Sequence, residues 1–282
     1  MTRPKHLHTK IFLDSGDPEE TKKAIKLLGF LDGQTTNPSL VAKNPQVQEK
    51  IKNGESFTTE ALFDFYKNTV EEISKQIPEG SISIEVYADK DTTPEKMIEQ
   101  ARIMNSWIPN AHIKLPVIAS GLESAEALSK ENLRLNMTLV FNQEQAAAVY
   151  SATKNAFVSP FVGRLDDRGE NGMDLIKNVQ TMYEAGDEHV EVLVASVRTL
   201  DHFLAALALK ADIVTVPLKL LKEWKEAGMP VPYSSDYNPE LSPITYKELT
   251  LGKNWQQYDI TDKLTDAGLQ RFADDWNALL KK

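Results

Sequence analysis

No cysteine occurs among the 282 residues. That absence removes disulfides, thiol nucleophiles, thiolate metal sites and iron–sulfur clusters together. Long apolar runs are missing too. No stretch approaches the roughly 20 residues of a membrane-spanning helix, and the opening MTRPKHLHTK has no apolar core of a secretory leader. The first apolar run, Ile11 to Leu13, meets Asp14 at once. These features predict a soluble, cytoplasmic chain with no membrane partner. Basic charge is in the minority: 32 Lys and Arg stand against 41 Asp and Glu, a formal net charge of −9. That balance disfavours nucleic acid as a partner, because it needs a basic field.

Several chemical signatures are absent as well. No GxGxxG or GxxxxGK[ST] phosphate loop follows a strand, and no GxSxG nucleophile elbow occurs. The five histidines (His6, His8, His112, His189 and His202) form no HExxH and offer no second strand-end ligand. Neither a metal nor another cofactor is therefore expected. What remains is amine chemistry.

What is present is an alternation. Short apolar runs at 10–14, 33–37, 81–86, 111–117, 134–140, 156–162, 190–196 and 212–218 are each followed by helical periodicity. The helices are expected at 17–29, 59–76, 94–107, 121–131, 143–153, 171–185, 199–209 and 218–227. Asp17 before Pro18 and Thr93 before Pro94 mark helix starts. Eight strand–helix units predict an α/β fold, a single (β/α)₈ TIM barrel with an extra C-terminal helix. One domain covers 1–282, with its core at about 10–227 and an irregular, Pro- and Tyr-rich excursion at 228–260. The final helix, 261–282, carries Leu264, Leu269, Phe272, Trp276 and Leu279 on one face. Packing on its own barrel is the expectation for that face. Docking on a second subunit, and so a homo-oligomer, is the alternative.

In such a barrel the C-terminal strand ends face the active-site mouth. Asp14, Thr35, Thr36 and Asn37 end the first two strands, and Glu85 the third. Lys114 lies within the fourth between Ile113 and Leu115, and the fifth carries Asn136 and Thr138. The sixth offers Ser159 and then Arg164, and the seventh ends in Ser196 with Arg198 just beyond. Polar groups within apolar runs need a partner or a purpose. A buried lysine favoured as the neutral amine attacks carbonyls; a structural ion pair with Glu85 or Asp14 is the competing account. Asp14 and Glu85 would supply the proton transfers. Arg164 and Arg198, whose guanidinium forks match phosphate oxygens, suggest an anion site.

The segments FLDSGD, DGQTTNPSL, ISIEV, IKLPV, NMTLVFN, VSPFVGRLDD and ASVRT occur in order on successive strands. In these the chain resembles the transaldolase family, including its fructose-6-phosphate aldolase-like branch, from about Ile11 to Leu220. The resemblance implies a Schiff base on Lys114 with a ketose phosphate and proton transfer by Asp14. It implies a catalytic water held by Glu85 and Thr138. Thr35, Asn37, Asn136, Ser159 and Ser196 would line the sugar, and Arg164 and Arg198 would grip its terminal phosphate. Members that release dihydroxyacetone tend to carry Gln where this chain has Glu85 and Tyr where it has Phe161. Transfer of the three-carbon unit to an aldose phosphate is thus expected. The alternatives are release as free dihydroxyacetone, a sulfo-sugar in place of a sugar phosphate, and a non-catalytic barrel that binds sugar phosphate. The excursion after the eighth strand is expected close enough to the mouth to reshape the acceptor pocket.

Overall fold

The computed structural model describes residues 3–235 and 237–281. Eight parallel strands close into one barrel in sequence order. They are β1 (Lys10–Asp14), β2 (Gly33–Thr35), β3 (Ser81–Glu85) and β4 (Ala111–Pro116), then β5 (Leu135–Val140), β6 (Ala156–Pro160), β7 (Val190–Val194) and β8 (Ile213–Val216). Lys10 pairs with Ile213 where β8 closes onto β1. The (β/α)₈ barrel is therefore the fold. The helices are α1 (Pro18–Leu28), α2 (Pro38–Ala42), α3 (Pro45–Lys52), α4 (Thr59–Gln76), α5 (Pro94–Asn105) and α6 (Ala119–Lys130). They continue as α7 (Gln143–Ala152), α8 (Val162–Asp167), α9 (Gly172–Tyr183), α10 (Leu200–Ala208), α11 (Leu218–Glu226) and α12 (Lys263–Asn277).

The expected caps form. Asp17 accepts from Glu19 N and Thr93 from Lys96 N, each just ahead of a proline at the first helical turn. Three short helices, α2, α3 and α8, lie outside the sequence expectation. Asn37 and Asn44 cap the first two, accepting from Leu40 N and Gln46 N before Pro38 and Pro45. The run expected as strand through Asn37 therefore ends at Thr35. The seventh strand stops at Val194, short of the expected 196, because Ser196 takes a left-handed φ of 58°. Gly163 N then donates to Ser196 O, and a Cβ on Gly163 would lie 2.4 Å from that oxygen. Glycine is required for this close approach of α8 to the β7 end.

Inside the barrel Phe12, Phe157, Leu193 and Ile213 pack together. His112 stacks on Phe157 with ring centroids 4.2 Å apart. Burial, with Arg134 and Lys10 adding to it, pushes the His112 imidazole down to about 3. Uncharged at neutral pH, it serves as floor material. Gly33 leaves room for Phe12, whose Cζ would sit 2.5 Å from a Cβ there.

The end of β5 is irregular. Its register against β6 shifts between Met137 and Val140, and Leu139 adopts φ 62°. A bulky residue in that region is strained, and α12 is what holds it. Thr265 Oγ1 donates to Leu139 O at 2.9 Å, and Gly268 faces the Leu139 side chain. The α12 residues Leu269, Phe272 and Trp276, with Leu279 just beyond, are buried; Leu264 is half-buried. Trp276 packs its ring against Phe63 and Tyr66. The face that could have docked on a second subunit is thus used on its own barrel.

The described residues of 228–260 are irregular as expected, apart from a 3₁₀ turn at Trp255–Gln257. The segment runs along the outer helices: Asn171 N donates to Ser242 O, Asn178 Nδ2 to Ile244 O, and Trp255 Nε1 to Glu126 Oε2. Among the described residues no helix is long and apolar enough to cross a membrane.

Candidate active site

Parallel register brings the polar strand ends together at one mouth. Asp14 pairs with Thr35, Glu85 with Lys114, Lys114 with Asn136, and Pro116 with Thr138. Lys114 Nζ lies 2.9 Å from Glu85 Oε2, and each side chain is only 4% exposed. Such a pair is costly to bury, so it is poor evidence of a purely stabilising role. Burial pushes the Glu85 carboxyl up; Lys114 opposes this and Asp14 adds to it. Asp14, at the end of β1, accepts from Thr35 Oγ1 at 2.7 Å. Burial also pushes the Asp14 carboxyl up, with Lys114, the Thr35 hydroxyl and then Lys43 pulling it back. Two carboxyls of raised pKa thus flank one amine.

Behind them runs a buried polar chain. Ser159 Oγ donates to Asn136 Oδ1 at 2.6 Å, and Asn136 Nδ2 donates to Ser83 Oγ at 2.9 Å. Two atoms of this region stand out among the described residues. Thr138 Oγ1 and Glu85 Oε2 are buried without a hydrogen-bond partner, although Lys114 approaches the latter within ion-pair distance. A buried polar atom left unpaired calls for an explanation.

A cavity of about 270 Å³ opens over these strand ends. Of the residues singled out in the sequence, Asp14, Thr35, Asn37, Lys114, Ser159 and Phe161 line it. Arg164, Ser196 and Arg198 line its other side. Glu85, Asn136 and Thr138 do not reach it; they are buried behind the wall. Five basic side chains line the cavity against one acid, Asp14, in a chain whose net charge is −9. The cavity is therefore a positive hollow in an acidic protein, suited to an anionic ligand. Arg198 places both terminal nitrogens on Asp167, the second at 2.6 Å. Arg164 has no ion pair among the described residues, and burial, then Arg271 and Arg198, lower its pKa.

Several lining residues escaped the sequence. Lys43 comes from the residue that ends α2, and Arg271 and Phe272 come from α12. Phe272 sets its ring centroid 5.8 Å from Lys114 Nζ. Thr215, on β8, shares a hydrogen bond with Thr35 at 2.6 Å. Its polar side chain within IVTV was the available signal. No described residue of 228–260 lines this cavity. Pro232, Ser234, Ser235, Tyr237, Asn238 and Pro239 instead border a larger hollow of about 800 Å³ beside α8 and α10. There His202 bonds Asp166 and Tyr237 at 2.7 and 2.9 Å. Among the described residues no strand residue enters that hollow, and Arg198 alone borders both. Among the described residues no group of three His, Asp or Glu side chains is placed to hold a metal.

The family described as transaldolase/fructose-6-phosphate aldolase matches residues 11–282. A protein of Dehalococcoides mccartyi described as a probable transaldolase is 36% identical over 272 residues, covering 96% of this chain and 100% of its own. One of Thermoplasma volcanium with the same description is 40% identical over 215 residues, covering 76% and 86%. A third, from Brucella anthropi, is 35% identical over 272 residues, covering 95% and 96%.

Proposed function

Starting from a chain that belongs to the transaldolase/fructose-6-phosphate aldolase family, we propose that it transfers a dihydroxyacetone unit between sugar phosphates through a Schiff base on Lys114. The observation that carries this is the buried Lys114–Glu85 pair beside Asp14 at the floor of a positive cavity. Lys114 Nζ, having passed its proton to Glu85, adds to the C2 carbonyl of a ketose phosphate of the fructose 6-phosphate or sedoheptulose 7-phosphate type. Water leaves, and an iminium remains. Asp14 takes the C4 hydroxyl proton, and the C3–C4 bond breaks to release an aldose. Its electron pair moves into the iminium, giving an enamine. An acceptor aldehyde then receives the enamine carbon, Asp14 returns the proton, and water hydrolyses the new iminium.

A carboxylate whose pKa burial raises suits the first of these transfers, since it takes the hydroxyl proton more readily than an ordinary aspartate. The buried Thr138 Oγ1, which has no hydrogen-bond partner among the described residues, and Glu85 Oε2, which meets Lys114 Nζ as an ion pair, support a role for the two in holding the water lost and regained. Thr35, Asn37, Asn136, Ser159 and Ser196 are assigned to the sugar hydroxyls, directly or through one another. Arg164 and Arg198 are assigned to the terminal phosphate or a sulfonate of similar shape. Glu85 and Phe161 favour transfer over release of free dihydroxyacetone.

Borohydride trapping with fructose 6-phosphate, followed by intact mass and peptide mapping, tests this. A three-carbon adduct on Lys114 that erythrose 4-phosphate discharges is expected. An adduct discharged equally well by water alone replaces the transferase with an aldolase. A folded protein that traps no ketose at all overturns the amine mechanism.

A further inference from the structure

A third guanidinium reaches the anion side of the cavity, and it comes from the C-terminal helix. Arg271 lines the hollow together with Arg164 and Arg198. Its position is fixed by the packing of α12: Thr265 on the Leu139 carbonyl, Gly268 against the Leu139 side chain, and Phe272 beside Lys114. One turn of helix therefore serves the amine through Phe272 and the anion side through Arg271.

The three guanidiniums are unequally satisfied. Arg198 is tied to Asp167 through both terminal nitrogens. Arg271 meets only Asp275 among the described acids, at 3.9 Å from Nε, and that carboxylate already accepts from Ser39 Oγ. Arg164 has no described carboxylate partner, and Arg271 depresses its pKa more than Arg198 does. Like charges held close without a counter-ion repel. A bound tetrahedral oxyanion returns that energy and offers each fork a pair of oxygens.

We propose that Arg271 is a specificity-determining residue that completes the anion subsite with Arg164, so that the C-terminal helix selects ketoses bearing a terminal phosphate or sulfonate. This rests on the cavity being a ketose site, and the test separates the two claims. One arm needs no sugar: inorganic phosphate and sulfate are titrated against the thermal midpoint of wild type, Arg271→Gln and Arg271→Lys. The other arm compares half-saturating concentrations of fructose 6-phosphate, its 6-sulfonate analogue and uncharged fructose.

Arg271→Gln is expected to weaken protection by the inorganic ions at least fivefold. It is also expected to raise the half-saturating concentration at least fivefold more for the anionic ketoses than for fructose. Arg271→Lys is expected to recover part of both losses. The ratio between the phosphate and sulfonate sugars shows which oxyanion the subsite prefers. Equal losses on charged and uncharged ketoses would mark a merely structural arginine and overturn the proposal, as would unaltered protection by the ions. Ion protection that depends on Arg271 in a protein trapping no ketose leaves the anion subsite standing and removes the ketose from it.

Discussion

The two halves of the cavity are built on different principles. The amine half stands on strands: Lys114 and Glu85 are 4% exposed and rigidly registered. The anion half stands on helices and loops, where Arg198 and Arg271 remain 43% and 51% exposed. Desolvation sets the energies in the first, and screened attraction sets those in the second. Removing a group from the amine half should therefore end the chemistry, whereas removing one from the anion half should only weaken selection. Lys114→Met tests the extreme case. It is expected to abolish borohydride-dependent labelling with every ketose, as read by intact mass.

Asp14→Asn sharpens the contrast by separating activity from stability. The rate is expected to fall by about 10²- to 10⁴-fold, the usual weight of a positioned acid–base group. The fold is not expected to suffer. Burial raises the Asp14 carboxyl above its ordinary value, so its ionised form is the destabilising one. Stability is lost as pH rises from the ordinary carboxylate range through the raised value, and asparagine escapes that loss while still accepting from Thr35. A thermal midpoint at neutral pH equal to or above wild type is expected, and a clear drop would contradict the assignment of cause. Over the same interval wild-type kcat/KM should rise with pH, because the carboxylate is the proton acceptor.

In the anion half the effects shrink. Arg164→Gln is expected to raise the half-saturating concentration of an anionic ketose about tenfold, roughly 1.4 kcal/mol. Added salt should weaken wild-type binding of that ketose more than binding of an uncharged one. Salt-insensitive binding of both would break the comparison. Asp167→Asn is the mildest change. It should release Arg198 and lower the half-saturating concentration a few-fold, while stability moves by less than about 1 kcal/mol, as for an exposed pair.

This division also governs what could be read from the sequence. Strand-end groups were visible because Lys114, Asn136 and Thr138 interrupt apolar runs, where a polar residue must be accounted for. Arg164 and Arg198 were visible because they closely follow strands six and seven. Arg271 was not: a helical period locates the buried face of α12 but not which turn overhangs the mouth. Thr215 passed unnoticed because threonine is an ordinary strand former. The short helices α2 and α3 were hidden behind Asn–Pro pairs, which serve turns and helix caps alike. The excursion at 228–260 was expected near the mouth from chain order alone; Tyr237 borders the hollow that meets the cavity at Arg198, while Ile244 and Trp255 are held along the outer helices.

The fastening of α12 at both ends bears on how turnover is controlled. Arg168 grips Asp262 at its start, and at its far end Phe57 N donates to Leu279 O while Lys281 N donates to Phe57 O. A roof pinned at both eaves is expected to keep its place through a catalytic cycle. On the proposed mechanism, sugars would enter and leave past Arg271 and Phe272, which this helix carries at the cavity. On that mechanism, sparing the three-carbon fragment until an acceptor arrives would fall to the side chains that line the cavity.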